Sequence, residues 1–505
     1  MLRLLGSPKT LCDGLTRREF LRVGGLGAFG LGLGDLFRLR AAPSASPPRG
    51  PGEKPAGFGK AKACILLFPY GSPPQHETFD PKPDAPAEVR GELNSIPTSV
   101  PGLRVCELLP RIAPLMDRVT VVRSLTHPYP EHGVAYAVSG IPTYTPALET
   151  RPRDGRHWPF IGSVVDYLEE RRTRQTRPAV PRNVGLPWLL NSRTELDVSA
   201  GPYAAFLGQG YDPVWTDFDG KGTRIVPKYT EAQAREYHDP FGGVLPEGRF
   251  RLGQGSRLPD DVPVERLNLR RGLLEQFDRA RAAIALQEQN QGFDKFRSQA
   301  FALLTSSKMH DALDIGREPL ALRESYGLTL FGQACLAARR LVEAGSKFVT
   351  VFWDGYGAFA NCAWDTHALH YPRLKEYLLP GFDRAYSGLL RDLEARGLLD
   401  ETLVLWMSEH GRTPKIDSKP KGAGRHHWSR AYSVVLAGGG AARGKVVGST
   451  DKLGGEVRDT PVSPKDILAT AFHLLGIDPG TTLEDRLGRP LPIAGEGQVR
   501  TELLL

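Results

Sequence analysis

A helix that runs almost directly into a strand constrains this chain more than any other feature. "LPGFDRAYSGLLRDLEARG" places Phe382, Tyr386, Leu389, Leu390 and Leu393 on one helical face, with Gly397 as the stop. The unbroken apolar run Leu403 to Met407 follows, long enough for one strand buried on both faces. Upstream, "KFVTVFWD" reads as another strand, so the three form a β-helix-β unit. Such units put strands parallel and helices on the sheet faces, and ligands bind beyond the carboxyl ends of the strands.

The same grammar recurs along the chain. Ala63 to Tyr70 and Arg118 to Ser124 read as strands that break into polar loops, and "AYSVVLAGGG" (Ala431 to Gly440) supplies a further strand. "LTLFGQACLAARRLVEAG" is a helix ending at Gly345, and "SPKDILATAFHLLG" a helix capped by Ser463 and ending at Gly476. Helical spacing also runs through "VERLNLRRGLLEQFDRARAAIALQEQNQGFDKFRSQAFALL". The expected fold class is α/β, with a largely parallel central sheet, helices on both faces, and a loop-rich insertion at about 181–263 that covers an active-site face.

Residues 1–42 read as an address. Arg17, Arg18, Phe20 and Leu21 precede a glycine-softened apolar run, and small residues suited to cleavage follow. The run from Val23 to Gly34 is too short to span a bilayer, which takes about 20 residues, so no integral span is expected in the mature chain. Residues 43–60 are rich in Pro, Gly and Ser and read as a flexible tether, 61–490 as the folded domain and 491–505 as a C-terminal tail. The net charge is +8, and the first 42 residues supply about half of it through seven basic and three acidic side chains. The remaining field is too weak to argue for nucleic acid. The widely spaced cysteines form no CxxC pair, and buried thiols are expected.

Three clusters of metal-type side chains lie in the C-terminal third: Asp365 and His367 in "WDTH", Glu409 and His410 in "SEHG", His426 and His427 in "GRHHW". Each alone has an ordinary structural explanation, such as a helix cap, a buried imidazole or a solvated loop. Together they offer enough ligands for two divalent ions, zinc, calcium or manganese, with positions left open for substrate. Thr126 leaves the sheet after the second strand, with Ser124 two residues earlier and His127, Glu131 and His132 behind it. A threonine hydroxyl at neutral pH needs a metal or an adjacent base to attack a phosphoryl or sulfuryl centre. His127 or His132 could shuttle protons, and Arg412 either steadies an ester oxygen or forms an ion pair at the sheet edge.

"TRREFLRVGGLG", "ETFDPKPDAPAEVRGE", "VRSLTH", "WDTHALHYPRLKEYLLPGFD", "GLLDETLVLWMSEHGRTPK" and "GRHHWSRAYSVVLAGGG" together resemble the twin-arginine-exported bacterial family called domain of unknown function 1501, which is similar to the alkaline phosphatase and sulfatase superfamily. The resemblance implies an alkaline-phosphatase-like fold, a periplasmic or otherwise exported location, and hydrolysis of small-molecule or glycan esters of phosphate or sulfate. It implies Thr126 as nucleophile, Glu409 and His410 at one metal site, and Asp365, His367 and His427 at the other. The superfamily takes a further metal-binding Asp from the loop after its first strand, but that strand here ends "FPYGSPP", leaving Gln75, His76, Glu77 or Asp80 as substitutes or the second site incomplete. No cysteine starts the x-Pro-x-Arg pattern of formylglycine sulfatases. The alternative is a superfamily relic that binds a glycan or an envelope partner without turnover.

Overall fold

Nine strands form the central sheet: β1 (Ala63–Pro69), β2 (Val119–Leu125), β3 (Asn183–Leu186), β4 (Val214–Asp219), β5 (Arg249–Leu252), β6 (Phe348–Trp353), β7 (Thr402–Trp406), β8 (Tyr432–Ala437) and β9 (Lys445–Val447). Their spatial order is β9-β2-β8-β7-β1-β6-β3-β4-β5. The computed structural model describes residues 55–142, 145–152, 154–174, 178–194, 201–227, 236–253, 306–357, 363–418 and 423–505, which belong to one unit, Pro55–Leu505. The export segment and the helical pattern at about 264–304 lie outside the described residues.

β1 is central because it is apolar at every position and flanked by parallel neighbours, β6 on one side and β7 on the other. Its alternation splits the core. Ile65 and Leu67 face one layer with Leu336, Phe382 and Leu389, whereas Cys64, Leu66 and Phe68 face the other with Val164, Ile467 and Phe472. The first layer is built by α3 (Leu330–Ala344) and α4 (Leu379–Ala395), the second by α1 (Val134–Ser139), α2 (Ile161–Thr173) and α5 (Pro464–Leu474). α4 buries the predicted face, and α5 starts on a capping box in which Ser463 accepts from the Asp466 N–H and Asp466 accepts from the Ser463 N–H.

All strands except β8 and β5 run in one direction. The carboxyl ends of β1, β2, β6 and β7 therefore share one edge. Antiparallel β8 begins at that same edge, because Tyr432 pairs with Leu125 and Val435 with Trp406. Its reversed direction delivers His426 and His427 there as the chain enters the sheet.

Three boundaries differ from the sequence expectation. The segment 181–263 extends the sheet through β3, β4 and β5, besides contributing the hairpin Gly222–Pro227 with Glu236–Val244. These strands are short and interrupted by glycine and charge, so no period marks them. Residues 55–60 pack onto the domain, with the Gly59 N–H on His473 and the Ala61 N–H on Leu474. The tail is also built in: Pro490–Pro492 pairs with Thr482–Glu484, and buried Leu503 accepts from the Ala442 N–H. No described helix is long and apolar enough to cross a membrane.

Candidate metal centre

Two groups of ligand-type atoms meet at the carboxyl edge of β7, β1 and β2. His132, His410 and His427 form one, Asp365, His367 and His427 the other, and within each group the atoms lie within 4.8 Å of one another. His427 belongs to both. The imidazole of His427 stands 4.3 Å from that of His132 and 4.4 Å from that of His410, centroid to centroid. In the second group the Asp365 Oδ1 lies 3.0 Å from His367 Nε2 and 3.2 Å from His427 Nε2.

Hydrogen bonds decide which nitrogen each ring offers. His410 Nδ1 is 2.8 Å from the Gly411 carbonyl, which can only accept, so Nδ1 carries the proton. Its Nε2 is then a lone pair, buried and without a partner among the described residues. Burial, followed by the charges of His427, His132 and Arg412, holds the His410 pKa well below the ordinary imidazole value, so the ring is neutral. A buried, neutral imidazole nitrogen with no hydrogen bond among the described residues is a lone pair of the kind that ligates a cation.

His367 is oriented by a longer relay. His426 Nε2 is 3.0 Å from Asp417 Oδ2 and donates to it, so in neutral rings His426 Nδ1 accepts from His367 Nδ1 at 2.8 Å. That leaves His367 Nε2 as the lone pair facing Asp365 and His427. Asp417 carried no signal in the sequence, because nothing local ties a loop carboxylate to a histidine nine positions on.

His132 is braced by Glu409. Its Nδ1 donates to Glu409 Oε1 at 2.9 Å, and its Nε2 points at Asp365 Oδ2, 3.5 Å away. Burial opposes charge on His132, but the Asp365 and Glu409 carboxylates outweigh it and push its pKa up to about 10, so a cation taken at Nε2 would displace a proton from it. A carboxylate behind a ligating imidazole fixes its tautomer and raises its basicity.

Several residues expected to act directly are engaged by hydrogen bonds to their neighbours. Glu409 lies behind His132 and in neither group: Oε1 also accepts from the Gly71 N–H at 2.8 Å and Oε2 from the Ser408 hydroxyl at 2.6 Å. Burial opposes its ionisation, yet the His132 bond and charge keep its pKa lowered. Arg412 is fully buried, and its Nε donates to the Ser72 carbonyl at 3.0 Å, Nη1 to the Arg425 carbonyl at 3.2 Å and Nη2 to Asp365 Oδ1 at 2.5 Å. This is the ion-pair alternative, with the guanidinium buried and turned toward Asp365 and backbone carbonyls. Asp365 is held far below the usual carboxylate range, against burial, by Arg412 and His132. His127 donates from Nε2 to the Glu409 carbonyl at 2.7 Å and accepts from the Tyr129 N–H at Nδ1, and burial pushes its pKa down to about 4. With both nitrogens engaged, it braces the loop after β7.

The loop after β1 spends its polar residues the same way. Gln75 clamps the Arg412 backbone, accepting its N–H at 3.0 Å and donating to its carbonyl at 2.8 Å. His76 bonds Leu453, Glu77 pairs with Arg425, and Asp80 with Lys82. None of the four enters a ligand group. The loop approaches by backbone instead: Gly71 has φ +93°, and a Cβ there would lie 2.4 Å from the Asp365 nitrogen. Thr126 bonds Val462 through its backbone N–H, and its hydroxyl bonds none of the described residues, whereas the Ser124 hydroxyl is committed to the Thr460 carbonyl at 2.6 Å.

Residues 61–504 match a family model described as "Protein of unknown function (DUF1501)". The chain belongs to the DUF1501 family. Solved structures similar to this DUF1501 protein include a sulfatase, PsFucS1, from Pseudoalteromonas sp., with 11% identity and TM-score 0.35 over 83% of this chain and 68% of that one. A protein of the alkaline phosphatase superfamily from Vibrio parahaemolyticus shows 12% identity and TM-score 0.34 over 91% and 76%. The lipoteichoic acid synthase LtaP from Listeria monocytogenes shows 10% identity and TM-score 0.31 over 87% and 76%. No curated protein matches the sequence.

Proposed function

We propose that this DUF1501 protein is an exported, metal-dependent hydrolase of phosphate or sulfate esters. The observation that carries the reading is the pair of ligand groups joined at His427, one of them ending in the orphaned Nε2 of His410. His132 and His410 would hold one cation and Asp365 and His367 the other, with the single lone pair of His427 completing whichever of the two it ligates. Four imidazoles against one carboxylate favour zinc over calcium or manganese, which prefer oxygen donors. A divalent cation in this site supplies Lewis-acid polarisation of an ester oxygen and neutralises charge in the transition state. Arg412 positions Asp365, Glu409 positions His132, and the relay from Asp417 through His426 positions His367. His132 is thereby a ligand in place of a proton shuttle. Thr126 stands as the nucleophile on two grounds, its place at the end of β2 and its unbonded hydroxyl. Export rests on the Arg17-Arg18 segment.

The test is metal analysis of the exported protein, followed by a panel of aryl phosphate, phosphodiester and sulfate esters. Two zinc equivalents with turnover of one ester class are expected. Thr126→Val keeps the branched shape and removes the oxygen, so metal content should persist while turnover is abolished, and Ser124→Ala should retain it. A zinc-loaded protein that cleaves no ester in the panel supports the non-catalytic binder, a reading favoured by the commitment of Arg412 and of the whole loop after β1 to bracing.

A further inference from the structure

A cavity of about 810 Å³, sharing no residue with the ligand groups, opens among the loops after β3, β4 and β6. That volume lies in the range of small-molecule sites. Its aromatic side is half-buried Tyr356, backed at 5.9 Å between ring centroids by Trp188, which is buried and carries the Arg193 guanidinium over its ring at 5.8 Å. The indole is fixed from behind, because Nε1 donates at 3.2 Å to Asp354, a buried carboxylate at the carboxyl end of β6 that also accepts from the Asn191 N–H at 2.7 Å. Among the described residues, Arg193, Lys221 and Arg251 line the cavity against Asp217, and Asp219 pairs with Arg251 at 3.1 Å beside it, so three cations face two carboxylates and one positive charge is in excess.

Asp217 and Asp219 order the guanidinium groups without enclosing them. Asp217 Oδ1 accepts from Arg193 Nη2 at 2.8 Å, and Asp219 Oδ2 accepts from Arg251 Nη1 at 3.1 Å, with Asp217 Oδ2 4.0 Å from Arg251 Nη2. The Arg193 side chain is still 47% exposed and that of Arg251 34%, which leaves N–H groups for a ligand. An aromatic face takes the apolar face of a ring, and forked guanidinium groups take an oxyanion. Thr223 and His238 add hydroxyl-bonding groups to the same lining.

We propose that this cavity binds a saccharide unit carrying an anionic substituent, with its ring against Tyr356 and its carboxylate, sulfate or phosphate between Arg193 and Arg251. The site does not depend on metal chemistry. It is tested by calorimetric titration of the full chain with glucuronic acid, glucose 6-sulfate and glucose 6-phosphate, against glucose, inorganic phosphate and adenosine monophosphate.

At least one charged sugar should bind, and glucose and inorganic phosphate should each bind at least about ten-fold more weakly, since each lacks one half of the recognition. Arg193→Gln, a partly exposed position whose change spares the core, should weaken the charged sugar by about ten-fold or more. His427→Ala, which damages both ligand groups, should leave that affinity within about two-fold. This separates the cavity from the hydrolase reading. Absence of binding, phosphate binding as tightly as the sugars, or adenosine monophosphate binding more tightly than any of them overturns the proposal. So does an Arg193→Gln protein with unchanged affinity, or loss of binding in His427→Ala.

Discussion

Glu409→Gln separates a brace from a ligand, because the structure lets the substitution remove charge and almost nothing else. The amide oxygen can take the place of Oε1 and accept from the Gly71 N–H and from His132 Nδ1, now at 2.8 and 2.9 Å. The amide nitrogen then faces the Ser408 hydroxyl in the place of Oε2, and that hydroxyl can still give its proton to the Pro69 carbonyl, 2.7 Å away. Every hydrogen bond survives, but His132 no longer leans on an anion. Loss of such an outer carboxylate costs about 10–100-fold in metal affinity, or roughly 1.4–2.7 kcal/mol. The assay is zinc affinity of the metal-stripped protein by competition with a chromophoric chelator, with stoichiometry by elemental analysis. The expected result is unchanged stoichiometry with a Kd weakened in that range. A drop of one zinc per chain would show that Glu409 is itself a ligand, and an affinity within about two-fold of wild type would show that it does not tune His132.

Arg412→Lys places one ammonium where a fork now reaches Asp365 and the carbonyls of Ser72, Arg425 and Trp364. Stranding those buried groups should cost about 3–5 kcal/mol in urea denaturation of the metal-free protein, and a loss under about 1 kcal/mol would refute the positioning role. Acid should destabilise the fold through His76 and His127. Burial pushes both down to about 4, with Arg425 helping at His76. The unfolded chain therefore takes up these protons first. The stability is present above about pH 6.5 and lost as pH falls toward 4, on the order of 3 kcal/mol for each ring. Urea midpoints at pH 7 and pH 4.5 measure it, and His127→Gln should show a smaller acid loss than wild type; an equal loss would remove His127 from the account.

The chain's own pattern determined the middle of the sheet. β1, β6 and β7 are buried on both faces, so they are apolar at all positions but the buried Thr350 and Thr402, and α4 packs against them on one stripe, so its apolar residues recur at helical spacing. These are local constraints and leave local marks. The clustering of acid and imidazole just past the strand ends is also local, since each cluster lies within a few residues of the strand that carries it.

Tertiary structure alone decided the rest. β3, β4 and β5 exist as sheet because β6 offers β3 an edge to pair with, not because four to six mixed residues prefer extension. The pairing at the candidate metal centre is likewise non-local. Glu409 and His132, 277 residues apart, become hydrogen-bond partners only when β7 and β2 bring them together, and Arg412 becomes the partner of Asp365 across 47. A side chain's type limits what it can donate or accept. Which of its atoms are already spent depends on neighbours far away in the chain, and only folding supplies them.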